Sequence, residues 1–282
     1  MPELQIDAHA AAPETELKDS VRDFWNRSSC GEIYASGNGE FERFESHSAA
    51  RYELEPYLPE FAKFPEGAGR DVLEIGVGMG ADHVEWAKCG PRSLSGIDLT
   101  PRAIENTSAR LALYGFESNL RVADAENLPF DDASFDIVYS WGVLHHSPDT
   151  PRAIREVFRV LKPGGTARVM IYHKYSPVGY MLWARYGLLR GKPFRSLDDV
   201  YFHHLESPGT KAYTVGQARQ MFAGFSMVEA RPLLCFGDLL EGEVGQRHRG
   251  PILSLAKKFY PRRIVKALFR NQGLFLLIEA VK

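Results

Sequence analysis

Cysteine is scarce in this chain. Cys30, Cys89 and Cys235 are the three in 282 residues, far apart and without a C-x-x-C pair. That excludes a disulfide framework and a cysteine-based zinc site, and it fits a reducing compartment. No H-E-x-x-H or similar spacing is present, so no metal is expected. Long apolar runs are missing as well: Leu274 to Ile278 is far too short to cross a bilayer. Charge excess is also absent. With 34 Lys and Arg against 36 Asp and Glu, the net charge of -2 leaves no electrostatic footprint for nucleic acid. Met1 to Asp19 is polar and acidic, without the apolar core of a signal peptide, so a cytoplasmic protein is expected. There is no internal repeat. Residues 1–15, rich in Ala, Pro and acids, read as a disordered tail.

What is there is an α/β pattern. The apolar fraction of 44% suffices for a sizeable core. Residues 16–68 read as a helical cap, interrupted by Gly37-Asn38-Gly39, Pro56 and Pro59. Val72 to Ile75 is a strand with the continuous apolar character of one covered on both faces. It runs into Gly76-x-Gly78-x-Gly80 and then a helix, Ala81 to Lys88, stopped by Gly90 and Pro91. Further strands are expected at 93–98, 120–123, 135–140 and 166–172. Helices follow Thr100-Pro101, a cap with proline at the first helical position, and span Thr150 to Leu161. Lys162-Pro163-Gly164-Gly165 reads as a turn before the fifth strand. The alternation resumes with a helix at 215–222 and strands at 226–234 and 273–281. Strands alternating with helices imply a parallel sheet with right-handed crossovers. Two stretches, 174–213 and 237–272, break the alternation and read as lid insertions on a core of residues 69–282.

The glycine turn suits a nucleotide-like cofactor, and by itself it leaves two open. Gly76-x-Gly78-x-x-Ala81 also fits the dinucleotide fingerprint. Ligands of such sheets bind at the carboxyl ends of the strands, and here those ends are acidic: Glu74, Asp98, Asp124 and Glu126. A pyrophosphate would be repelled by carboxylates beyond the one that holds a ribose. S-adenosylmethionine (SAM) carries a sulfonium and an ammonium and no phosphate, so it is the better match.

Five motifs then occur in order: Glu74-x-Gly76-x-Gly78-x-Gly80, Gly96-Ile97-Asp98-Leu99, Ala123-Asp124-Ala125-Glu126-Asn127-Leu128-Pro129-Phe130, Phe135-Asp136-Ile137-Val138 and Leu161-Lys162-Pro163-Gly164-Gly165. Together they resemble class I SAM-dependent methyltransferases, in the small-molecule branch that includes the ubiquinone/menaquinone-type, methyltransferase-11-like enzymes. The resemblance covers roughly Gly69 to Tyr172 closely. It implies a Rossmann-like seven-stranded sheet of order 3-2-1-4-5-7-6 with the last strand antiparallel. It also implies that Gly76, Gly78 and Gly80 line the methionine part of SAM, with Glu74 acting through the turn or the ammonium. Asp98 would hold the ribose hydroxyls by paired acceptor bonds. Leu99 would pack on the adenine, with Asp124 and Ala125 at its edge and Glu126 either beside it or a solvated acid. Trp141 and Gly142 would flank the sulfur, and Tyr34 and Arg51 would reach the methionine from the cap.

Methyl transfer is an in-line displacement, so the protein mainly aligns the acceptor and excludes water. A base is needed only where the acceptor must lose a proton. Candidates are His145, in Leu144-His145-His146 after the fourth strand, and His173, at the exit of the fifth. His146 is expected to bond locally, with Asp149 a possible partner. The expected acceptor is a small, partly hydrophobic molecule methylated on O, N or C, of natural-product, quinone or lipid-like character. Rival readings are a protein or nucleic-acid methyltransferase and a non-catalytic binding protein. No N-P-P-[YF] or Pro-Cys motif supports nucleic acid as substrate, since Ser140-Trp141-Gly142-Val143 follows the fourth strand. Residues 247–270 carry Arg247, Arg249, Lys257, Lys258, Arg262, Arg263, Lys266 and Arg270 with interleaved apolar residues and no acid. Such a basic amphipathic helix suits peripheral contact with a membrane, an acidic partner or plain solvent. Monomer and dimer are both open.

Overall fold

A computed structural model describes residues 14–241 and 257–282. Seven strands form one sheet: β1 (Asp71–Ile75), β2 (Ser93–Asp98), β3 (Asn119–Val122), β4 (Phe135–Trp141), β5 (Leu161–Tyr172), β6 (Met227–Leu233) and β7 (Phe275–Val281). Their order is β3-β2-β1-β4-β5-β7-β6. The first five are parallel, and β7 runs antiparallel to both β5 and β6. This is the sheet expected from the motifs.

Alternation along the strands divides the core. Leu73 and Ile75 of β1 pack with Val138, Val169 and Ile278 against Ile154 and Val157 of α6 (Thr150–Val160) and Ala218 of α9 (Val215–Met221). Val72, Ile137 and Tyr139 point the other way. They meet Val84 and Trp86 of α4 (Ala81–Lys88), Leu111 of α5 (Pro101–Tyr114) and Leu58 of α3 (Leu58–Ala62). Thr100 Oγ1 caps α5 by accepting from the Ala103 amide at 3.3 Å, and Asp149 caps α6 from the Arg152 amide at 2.9 Å.

The N-terminal cap consists of α1 (Glu14–Arg27), α2 (Glu40–Leu54) and α3. Residues 1–13 of the expected tail lie outside the described residues, and α1 already begins at Glu14. The first insertion folds as α7 (Pro177–Tyr186), a 3-10 turn at Leu188–Arg190 and α8 (Leu197–His204). These pack as a third cluster: Leu182, Val200 and Tyr201 against Met170, Tyr172 and Phe275. The basic stretch 247–270 was expected as a single helix. Its part up to residue 256 lies outside the described residues, and the described part carries the short α10 (Arg262–Leu268) behind Pro261. The turn expected at 162–165 is a loop inside the strand pairing. Phe135 pairs with Leu161 and Ile137 with Thr166, so β5 advances five residues where β4 advances two.

Candidate functional site

The carboxyl ends of β1, β2 and β4 open into a cavity of about 660 Å3. It is continuous from the glycine turn to the helices of the first insertion. Gly76, Gly78 and Gly80 all have left-handed backbones, with φ of 87°, 54° and 72°, but Gly80, expected to line the site, faces Thr107 of α5 and does not line the cavity. A Cβ on Gly76 would stand 2.1 Å from Val143 Cγ2, so the turn is pressed against the loop after β4. On Gly78 it would meet nothing within 4 Å, which leaves the main chain open to approach from the cavity.

Asp98 braces this turn. One of its carboxylate oxygens accepts from the Gly78 amide at 3.2 Å, the other from the Thr100 amide and hydroxyl, both at 2.9 Å. Burial pushes the Asp98 carboxyl up, against the pull of those donors. Leu99, Ala123, Asp124 and Ala125 continue the lining. Asp124 is clasped by Lys18 Nζ of α1 at 2.6 Å, which lays α1 over this end of the cavity.

Glu126 is corrected by the structure: it does not line the cavity. Its buried carboxylate accepts from Lys18 Nζ at 2.7 Å, Ser147 Oγ at 2.6 Å and the Asp149 amide at 2.8 Å. It is neither a solvated acid nor a pocket contact; it ties α1 to the loop before α6.

Glu74 is buried, and its Oε2 lies 2.9 Å from His83 Nδ1. The neighbouring bonds fix the proton on the far side of the His83 ring. Ser118 Oγ donates to the Leu94 carbonyl at 3.0 Å, so it must accept from His83 Nε2–H at 2.8 Å. Burial holds the His83 pKa down to about 3, so its ring is neutral and Nδ1 is a bare acceptor. A protonated Glu74 would then be the donor in this bond. That agrees with burial and the nearby Asp82 pushing its carboxyl well up.

The cap reaches the same end through Arg51 of α2. Its Nε and Nη2 pair with the two oxygens of the buried Asp82, at 2.8 and 2.6 Å. Tyr139 and Tyr52 donate to the same carboxylate at 2.8 and 3.1 Å. Burial alone would raise the Asp82 carboxyl; Arg51 and the two hydroxyls outweigh it and hold it low. Arg51, Asp82 and Tyr34 line the cavity. Tyr52 lies behind it and acts on Asp82.

Trp141 and Gly142 stand midway along the cavity, with Trp141 packed among Tyr57, Phe61 and Phe275. Beyond them the walls turn apolar: Val178, Met181 and Leu182 of α7, then Leu205, Phe236 and Leu240. A few polar groups interrupt this chamber. Tyr172 donates to Glu206 Oε2 at 2.7 Å, and His146 Nε2 lies 3.5 Å from the same oxygen. The other ring nitrogen of His146 is held by Ser207 Oγ at 2.8 Å and Thr210 Oγ1 at 3.2 Å. Glu55 lines the cavity with its Oε2 3.4 Å from Arg51 Nη1, and burial pushes its carboxyl up to about 7.

Neither histidine expected as a base reaches this chamber. Leu144–His146 is a 3-10 turn, so neighbouring side chains leave it about 120° apart. His146 goes to the cavity, and His145 goes under Tyr172, its ring 4.0 Å from the tyrosine ring. His145 is fully buried, its ring nitrogens have no hydrogen-bond partner among the described residues, and burial pushes its pKa well down. His173 is buried on the strand exit, with Nδ1 3.2 Å from the Gly273 carbonyl oxygen, away from the cavity lining. Glu206 and Glu55 are polar chamber residues that sequence reasoning did not single out, and His146, expected to bond locally near Asp149, meets Ser207, Thr210 and Glu206 instead. Adjacent His145 and His146 are indistinguishable without the turn geometry, and Glu206 carries no periodic or motif signal.

Comparison with known proteins agrees with this geometry. Residues 73–169 match the family described as "Methyltransferase domain". The 27-O-demethylrifamycin SV methyltransferase of Amycolatopsis mediterranei (strain S699) is 38% identical over 105 residues, covering 36% of this chain and 38% of that protein. The phthiotriol/phenolphthiotriol dimycocerosates methyltransferase of Mycobacterium leprae (strain TN) is 43% identical over 100 residues, covering 35% and 36%. The matches thus span under two-fifths of these relatives' length. A solved SAM-dependent methyltransferase from Mesorhizobium loti shares the fold, with a TM-score of 0.52 and 20% identity over 80% of this chain and 97% of its own.

Proposed function

We propose that this chain, a class I SAM-dependent methyltransferase in its domain and its fold, methylates an O, N or C atom of a small, partly apolar molecule. SAM, when bound, supplies a methyl group already activated by its sulfonium. The protein's part is to hold, orient and keep dry. The observation that carries the reading is the single cavity that joins the Asp98-braced glycine turn to an apolar chamber past Trp141.

In this reading the open face of Gly78 takes the methionine part and Asp98 the ribose hydroxyls. Leu99, Asp124 and Ala125 surround the adenine, under α1. Arg51 and Tyr34 close the methionine end from the cap, while Glu74 acts through His83 and the turn. Trp141 and Gly142 mark the passage where the methyl group would meet the acceptor. Val178, Met181 and Leu182 supply apolar walls, which exclude water from the reacting atoms. The polar groups beside them, Glu206, Tyr172 and His146, suit an acceptor that presents a hydroxyl or amine. A small-molecule acceptor is also supported by the two relatives, which are named for 27-O-demethylrifamycin SV and for phthiotriol/phenolphthiotriol dimycocerosates.

Calorimetry with SAM and, separately, NAD tests this. SAM alone should bind; binding of NAD alone would overturn the proposal. Asp98→Ala should lower SAM affinity about a hundredfold, since two charge-assisted bonds to the ribose are lost.

A further inference from the structure

Phe194, Leu189, Phe259, Leu268 and Ile264 are the five most exposed large apolar side chains among the described residues, at 98%, 79%, 73%, 72% and 58% exposure. Single exposed apolar residues need no explanation. These five are not scattered, because all lie in the two insertions that wall the apolar chamber.

Leu189 and Phe194 belong to the Gly187–Phe194 segment that leaves α7. It holds Arg190 and Lys192, both exposed, and no acid. In α10, Ile264 and Leu268 are four residues apart and share a face. Val265 turns inward, and Arg262 Nη2 donates to the Leu240 carbonyl at 3.2 Å, so the docked face is settled. Arg263, Lys266 and Arg270 are exposed beside the apolar pair; Lys266 lies 3.8 Å from Glu241. The sequence has no acid from Val244 to Ile278. Helix α7 joins the two patches. The Tyr180 ring is 6.0 Å from Phe269 and its hydroxyl donates to Gln272 at 3.0 Å. Leu188 follows about 12 Å further along the helix direction. Met181, Leu182 and Arg185 of the same helix line the chamber.

We propose that these two patches dock the protein on an anionic lipid surface, with α7 between the membrane and the chamber. The chemistry favours this occupant. Leu189, Ile264 and Leu268 offer no stacking face to a nucleic-acid base, whereas a bilayer interface takes these aliphatic tips, Phe194, Phe259 and the cations together. That an apolar acceptor enters from the bilayer past α7 rests on the methyltransferase reading; the docking itself does not.

The test is co-sedimentation of the full chain with vesicles of phosphatidylcholine alone and of phosphatidylcholine with one quarter phosphatidylglycerol, at about 50 and 500 mM salt. The expected result is binding to the anionic vesicles at low salt and strong weakening at high salt. R263Q/R270Q should weaken binding about thirtyfold, and L189S/F194S at least about tenfold. SAM calorimetry on each variant should be unchanged, which shows that the variants fold. No binding to anionic vesicles, or binding that neither double variant weakens, would overturn the docking surface. So would a lipid-free dimer that either variant dissolves, because the face would then be a self-contact. If the parent chain binds SAM and fails to bind anionic vesicles, the docking surface alone falls. Failure to bind SAM counts against the methyltransferase reading instead.

Discussion

The two ends of the cavity are built in opposite ways. At the glycine-turn end, Glu74, Gly76, Gly78, Asp98 and Asp124 lie within about fifty residues, each at the carboxyl end of a neighbouring strand. Their positions follow from strand register: Ile75 pairs with Ile97 and Asp98 with Val122, so the turn and both aspartates arrive at one edge. At the chamber end, Glu55, His146, Tyr172, Met181, Glu206 and Leu240 come from the cap, a 3-10 turn, a strand exit and both insertions. The first end depends on backbone conformation and short-range bonds; the second depends on how distant pieces pack. Substitutions should therefore behave differently at the two.

The largest effect is expected at the strut between cap and turn. Arg51→Met strands the buried Asp82 carboxylate, which should cost about 3–5 kcal/mol in denaturant unfolding. A loss below about 1 kcal/mol would mean that the cap contributes little to the turn. Gly76→Ala attacks the turn alone. A left-handed backbone and a methyl group 2.1 Å from Val143 Cγ2 should together cost about 3 kcal/mol. SAM affinity should fall with it, as calorimetry would show.

Glu55→Gln probes the chamber side. Glu55 is raised from 4.5 to about 7 in the fold, so the folded state binds the extra proton between those values. Stability from this group is present below about pH 4.5 and is lost as pH rises through about 7. The glutamine variant removes that loss. Relative to the parent it should gain about 2 kcal/mol between pH 5 and pH 8, and a flat difference would show that Glu55 is ionised throughout.

The smallest effect is the sharpest test of the turn. If Glu74 is a proton donor to His83, Glu74→Gln keeps the donor and SAM affinity should stay within about threefold. Glu74→Ala removes the donor and should cost about tenfold or more. Equal losses for both variants would show that the charge of Glu74 matters, and the protonated assignment would fall.

The sequence by itself determined the alternating strands and helices and the cofactor end, and the family resemblance of its motifs implied the strand order. Apolar strands, Gly76-x-Gly78-x-Gly80 and Thr100-Pro101 act over a few residues, and parallel register carries them to a common edge. Only the tertiary structure decided the rest. Glu126 left the pocket because Lys18, Ser147 and the Asp149 amide hold both its oxygens. His145 went into the core and His146 to the cavity because a 3-10 turn sends adjacent side chains apart. Glu74 met His83 because both are buried, and Ser118, thirty-five residues beyond His83, holds that ring by its Nε2. For the two glutamates the deciding partner lies far along the chain, and local pattern carries no information about a partner that only packing supplies.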